Sequence, residues 1–358
     1  ALNGKEFLNS GIDFTKFDNV MFNDFKDDYR DSKRNSADLF SLIESFKTQV
    51  GYYLEEAKTE DNDMRLDKKQ EGSVATVKAK TDTKSLSRYM AELRQIKTPE
   101  EMKLLTKAIR ISAMGQREIM KAMKPNMSET EIQGIHEYVY KKYGSEYEGY
   151  PSIVGAGNNG CVLHYIENTK MKVAGELVLM DLGAEYHGYT ADVTRTIPAD
   201  GKFTKEQKLI YDLVYEAQEA GIKATLVGNG FGVPDAESRK VITQGLLDLG
   251  IIKDASESRK YYPHGASHYL GLDVHDPGLY KDFEPNMVIT VEPGIYIPDG
   301  SPCDEKWWGI AVRIEDDILI TENGPVNLSG EAPRKSDEIE SLMAESSALD
   351  NFELPKLD

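Results

Sequence analysis

Cysteine, histidine and tryptophan are all scarce in this chain: two, six and two among 358 residues. Two cysteines, Cys161 and Cys303, cannot build a disulfide framework, and their separation is no metal-ligand spacing. Long apolar runs are missing as well. None approaches the roughly eighteen residues that a membrane span requires, so no membrane partner is expected. Positive charge is in deficit, with 43 basic against 61 acidic side chains and a net charge of −18. Such a surface repels polyanions, which excludes nucleic acid or anionic membrane as the main partner and suits cationic ligands. The chain begins at Ala1 without an initiator Met or a signal-peptide pattern, and so reads as processed, trimmed or cut from something longer. The expected compartment is the cytoplasm, with a periplasmic or secreted location left open.

What is present divides unevenly. A hydrophobic content of 40% in this length suffices for one large domain, or for one domain and a smaller neighbour. Residues 1–90 hold the charged stretches "FNDFKDDYRDSKR" and "LEEAKTEDNDMRLDKKQEGS", which read as solvated helix or loop. Between them, "SADLFSLIESFKTQV" carries apolar residues near helical spacing. The reading is a partial or reduced domain over 1–90, a main domain over 91–335 and a C-terminal tail over 336–358. From Thr98 the signals sharpen. "TPEEMKLLTKAIRISAMGQREIMKAM" opens with a Thr cap, Pro99 and Glu101, and its apolar residues then recur at helical period. Similar starts at Ser128 and Thr204, and a stop at Gly250, mark further helices. Strand-like runs alternate with them: "PSIVGAG", "ELVLMDLG", "YTADVTRTI", "NMVITVEPGIYI" and "GIAVRIEDDILIT". Several are neighbours along the chain, so the predicted class is α+β with mostly antiparallel sheet. No repeat of 20–50 residues is found.

"VLMDLGAEYHGYTADVTRTIP" begins like a buried strand and ends in carboxylates. A hairpin centred on Tyr186 and His187 places Asp181 opposite Asp192, on one face and roughly 5 Å apart at Cβ. Two such carboxylates repel and lose hydration unless a cation sits between them; otherwise each is an ordinary surface acid. A second hairpin, centred near Cys303, puts Glu292 opposite Glu315 and Gly294 opposite Arg313, provided that Pro293 introduces no bulge. Three of the six histidines, His264, His268 and His275, fall in "HGASHYLGLDVHD", and His164 lies in "CVLHYIEN". His136, on a helix, and His187, at the turn, read as solvated surface. Four carboxylates with imidazole form a hard donor set suited to Mn, Co, Fe or Zn, and two divalent ions could share bridging carboxylates.

Together "VLMDLGAEYHGYTADVTRTIP", "HGASHYLGLDVHD", "VITVEPGIY" and "GIAVRIEDD" resemble the pita-bread metallopeptidases, most closely the Xaa-Pro aminopeptidases, over residues 90–335. The resemblance implies a pita-bread (creatinase/aminopeptidase-like) domain with metal ligands Asp181, Asp192, His268, Glu292 and Glu315. Asp192 and Glu315 would bridge two divalent ions, most simply Mn, with Co, Zn or Fe as alternatives. Glu292 would also serve as general base, His264 and His275 would contact substrate and its transition state, and His164 would sit near the substrate amine and leaving group. Arg313 and Tyr296 would hydrogen-bond around the ligands. The implied partner is a peptide with proline second, the implied reaction hydrolysis of its first bond, and the implied assembly a homo-oligomer, most simply a dimer. The aromatic and apolar surface for the proline ring is expected from Tyr296 and the Tyr-Leu-Gly run after His268. The resemblance departs at the amino terminus, where only about 90 residues precede the catalytic region. A dipeptide-restricted prolidase shares the ligand set; methionine aminopeptidase fits less well. The reading from a different class is a metal-free pita-bread binding protein without activity.

Overall fold

The computed structural model describes residues 83–351, and the expected helix near residues 36–50 lies outside them. Three helices come first: α1 (Thr83–Gln95), α2 (Pro99–Ala122) and α3 (Glu129–Tyr143). The cap of α2 is the one its sequence announces. Thr98 accepts from Glu101 N–H while the Glu101 carboxylate reaches back to Thr98 N–H, so two orphan donors are satisfied reciprocally. Then follow β1 (Tyr147–Glu148), β2 (Ile153–Ala156), β3 (Leu177–Leu182), β4 (Ala184–Tyr186), β5 (Tyr189–Thr190) and β6 (Val193–Pro198). Helices α4 (Lys205–Ala224) and α5 (Val233–Asp248) precede β7 (Val288–Val291), β8 (Gly294–Ile297), β9 (Ile310–Arg313), β10 (Asp316–Thr321) and β11 (Gly324–Asn327). The segment after residue 335 opens with α6 (Ser336–Met343), which buries Ile339 and Leu342.

Every pairing between these strands is antiparallel, as the sequence pattern predicts. Strands β3, β6, β7, β8 and β9 are buried along their whole length, because helices pack over the sheet. The main core gathers Val178, Met180 and Ile197 from the first hairpin, Ile295 and Val312 from the second, and Ile210, Tyr211 and Val214 from α4.

One reading is overturned here. His136 is not solvated: it is fully buried on α3 against Tyr140, with ring centroids 4.0 Å apart. Ile132, His136, Val139 and Tyr140 form one helical stripe, and that stripe faces α2. Burial pushes the imidazole down to about 3, so it is neutral at pH 7. His187 does lie at the surface, beside Glu146.

Candidate metal centre

Two long hairpins carry the acidic residues, and each is interrupted where the acids occur. In the first, the turn is His187–Gly188, both with positive φ, and Tyr186 pairs with Tyr189. Asp181 therefore pairs with Thr194, not with Asp192 as the sequence reading had it. The slip is two residues, which preserves the face, so both aspartates still point to one side as a diagonal pair. In the second hairpin, Gly294 pairs with Arg313 and Val291 with Asp316. The register is the same on both sides of Glu292–Pro293. No residue is inserted; Pro293 merely lacks the N–H that would continue the ladder, and its carbonyl accepts from Ile314 N–H. Glu292 and Glu315 thus face each other across the break.

The histidine-rich loop lies along β7. His268 N–H donates to Thr290 Oγ1, Thr290 N–H to the His268 carbonyl, and Tyr269 bridges to Ile289. This aims His268 Nε2 at the acids: it is 3.4 Å from Asp192 Oδ2, 3.7 Å from Glu292 Oε1 and 4.0 Å from Glu315 Oε1. One donor atom each from Asp192, His268 and Glu315 lie within 4.8 Å of one another. Atoms about 2.1 Å from a shared ion stand roughly 3–4 Å apart, so the set fits a divalent cation. His268 Nδ1 sits 3.0 Å from the Tyr269 carbonyl, which can only accept. Nδ1 therefore carries a proton held by that carbonyl, and Nε2 is the nitrogen that faces the carboxylates.

Electrostatics argue the same way. Burial first, then neighbouring acids, push Asp192 and Glu315 well above the usual carboxylate range. Burial lifts the Glu292 carboxyl to about 7, against the pull of His268 and Arg313. Burial works to raise Asp181 too, but the Arg313 guanidinium, 2.6 Å away, holds it below its ordinary value. A divalent cation would relieve the repulsion among the others. Tyr150 makes the same point. Its hydroxyl is 2.5 Å from both Asp181 Oδ1 and Asp192 Oδ1, yet it has one proton for two acceptors. Its ring fits because Gly183 has no side chain: a Cβ there would lie 2.5 Å from Tyr150 Cε1.

The remaining residues form two supporting chains. Arg313 also donates to Tyr296, whose hydroxyl is 2.8 Å from His264 Nε2, while His264 Nδ1 donates to the Gly265 carbonyl. Both ring nitrogens of His264 are thereby engaged. Burial, then the Arg313 charge, lower its pKa to about 4. Arg239 holds the same loop by donating to the Tyr262 and His264 carbonyls. His275 stacks edge-on against His268, centroids 4.4 Å apart, and burial first lowers it to about 4, with the charges of His268 and His164 adding to the shift. His164 is exposed on the neighbouring loop. The run after His268 does not supply a surface for a proline ring. Tyr269 and Leu270 are fully buried, the first among Phe283, Met287 and Ile289.

The sequence reading missed two glutamines. Gln116 of α2 donates to the carbonyls of Met180 and Val193, beside Asp181 and Asp192. Gln218 of α4 donates to the Val291 carbonyl and the Asp316 carboxylate, beside Glu292 and Glu315. Each hairpin is gripped at its break by one buried amide. Nothing in the helical periodicity separates these from other polar helix residues.

Carboxylates and an imidazole arranged this way define a divalent-metal centre on a paired-hairpin α+β scaffold. The chain belongs to metallopeptidase family M24, whose model matches residues 103–322, and its fold is the pita-bread fold. It is 41% identical over 290 residues to the Xaa-Pro aminopeptidase of Escherichia coli K12, covering 78% of this chain and 66% of that one. The solved E. coli aminopeptidase P with the inhibitor Pro-Leu superposes with a TM-score of 0.69 at 42% identity, covering 71% of this chain and 60% of that one. A zinc-substituted form of the E. coli enzyme with product gives 0.68 at 42%, covering 70% and 60%. The chain thus spans roughly two thirds or less of the length of these relatives. Among the described residues no helix is long and apolar enough to cross a membrane.

Proposed function

We propose that this protein is an aminopeptidase that uses two divalent ions, most simply Mn, to release the first residue from peptides with proline second. The observation that carries the reading is the convergence of Asp192, Glu292 and Glu315 on His268 Nε2 within 4.0 Å. Those four residues and Asp181 would hold the metals, with Asp192 and Glu315 available to both. When bound, the metals would supply Lewis-acid polarisation of the scissile carbonyl and a lowered pKa for the attacking water. Glu292 receives the proton from that water, as its place opposite Glu315 beside His268 suggests. Arg313 fixes Asp181 and, through Tyr296, the ring of His264. His264 and His275, both neutral, border the reacting carbonyl; His275 is the donor to the developing oxyanion, where a hydrogen bond counts most, while His264, with both ring nitrogens engaged, contacts substrate with its ring. His164 serves the proline nitrogen. That nitrogen carries no proton in the peptide, so it must acquire one to leave as an amine.

The names of the relatives favour this over the prolidase reading, and the grouping of Asp192, His268 and Glu315 counts against a metal-free binding protein. The test compares kcat/KM for Xaa-Pro, Xaa-Pro-Pro and Xaa-Ala-Ala with Mn supplied. Cleavage of the Pro-second tripeptide is expected, with Xaa-Ala-Ala at least roughly a hundredfold poorer. Cleavage confined to the dipeptide would move the protein to the prolidase reading.

A further inference from the structure

Glu129, the first residue of α3, is fully buried and stands outside the metal centre. Its carboxylate accepts four hydrogen bonds, all from neutral donors. Oε1 receives Ala156 N–H at 2.8 Å and Asn159 Nδ2 at 3.0 Å; Oε2 receives the Tyr165 hydroxyl at 2.9 Å and Lys170 N–H at 2.8 Å. Glu129 N–H donates in return to the Lys170 carbonyl, at 2.9 Å. These donors belong to one connection, residues 156–170, between the end of β2 and the approach to β3. The carboxylate gathers its first residue, its last residue and two in between. His164 is the residue before Tyr165, inside that closed loop.

A buried, desolvated carboxylate is a costly way to tie a surface loop, because any neutral pair would avoid the loss of hydration. It does, however, offer two oxygens that accept in several directions at once, which no neutral side chain of that size can match. Closing both ends of the loop on one group also removes most of its freedom. The side chains flanking His164 share this order: Leu163, Tyr165 and Ile166 pack against Ile153, Leu179, Tyr296 and Ala311. Tyr296 belongs to the Arg313–His264 chain, so the loop is held by the buried carboxylate on one side and abuts the centre on the other.

We propose that Glu129 is a positioning residue that holds His164 over the scissile bond by fixing the 156–170 loop. The inference rests on the role given to His164 above. In E129Q, Oε1 still accepts from Ala156 and Asn159, but the new amide presents donors to Lys170 N–H, so the far end of the loop is released. The experiment measures kcat/KM on Xaa-Pro-Pro, metal content and amide hydrogen exchange for E129Q, H164A and the double variant. E129Q is expected to lose roughly ten- to a hundredfold in rate with metal content unchanged, and exchange across 157–170 is expected to quicken. In the H164A background the same change is expected to cost less than about twofold, since the two residues act as one unit. Should E129Q not fold, Tyr165→Phe removes one donor while keeping the carboxylate, and a smaller loss with the same non-additivity is expected. An undiminished rate in E129Q, unchanged exchange in the loop, or an equal loss with and without His164 overturns the inference alone. A parent-level rate in H164A overturns the role of His164 itself, and the inference falls with it.

Discussion

Asp192→Ala and Glu315→Ala are each expected to remove turnover and bound metal together. Both acids face His268 Nε2 and lie in the crowded middle of the centre. Losing either leaves too few donors for a shared pair of ions. The rate is expected to fall below about a thousandth of the parent value, since one lost transition-state contact alone costs about a hundred- to a thousandfold. His268→Ala is expected to lose metal as well. His264→Ala is expected to keep it, because its ring contacts Tyr296 and Gly265 and no carboxylate within hydrogen-bond range, and to lose roughly a hundredfold in kcat through looser placement of the substrate. Metal analysis of each purified variant, beside its rate, checks the division. Full metal loading in Asp192→Ala or Glu315→Ala contradicts the ligand assignment.

The second large effect concerns the scaffold behind those ligands. Arg195 is the largest wholly buried side chain among the described residues. It pairs with Asp316 at 2.8 Å and donates to the carbonyls of Thr194, Glu315, Ala332 and Pro333. Asp316 also accepts from Gln218 and Ser329 and lies 3.3 Å from Arg334. Arg195→Ala leaves a cavity, unpaired carbonyls and a buried carboxylate short of its main partner. A loss of about 3–5 kcal/mol is expected, equivalent to roughly 10 °C in Tm for a domain of this size. Thermal unfolding of parent and variant, both metal-free, reads it. A shift below about 2 °C would show that Arg334 and Gln218 alone satisfy Asp316.

Much of this centre was legible in the sequence because hairpin logic carries over to three dimensions. The pairing of Gly294 with Arg313, and hence of Glu292 with Glu315, followed from counting outward from the intervening loop. In the first hairpin the turn lies one residue further on than a centre at Tyr186–His187. A two-residue turn with positive φ at both positions wants glycine second, so His187–Gly188 was the better centre of "YHGY" than Tyr186–His187. The aspartates converged regardless, because a slip of two keeps every side chain on its face. His136 has the residue type of a surface position but the spacing of a core one. Its position four residues after Ile132 and four before Tyr140 places it on the apolar stripe. Tyr150, Gln116, Gln218 and Glu129 left no comparable trace. Each acts across long sequence separations, through a single hydroxyl, amide or carboxylate that no periodicity marks.

The most direct measurement is a metal add-back on stripped protein, following bound Mn and Xaa-Pro-Pro cleavage in the same samples. Negligible turnover is expected without metal, rising as ions bind and levelling at two per chain, with neither response in Asp192→Ala. Parent-level turnover in the stripped protein, or tight binding in Asp192→Ala equal to the parent's, would contradict a metal centre built on these residues.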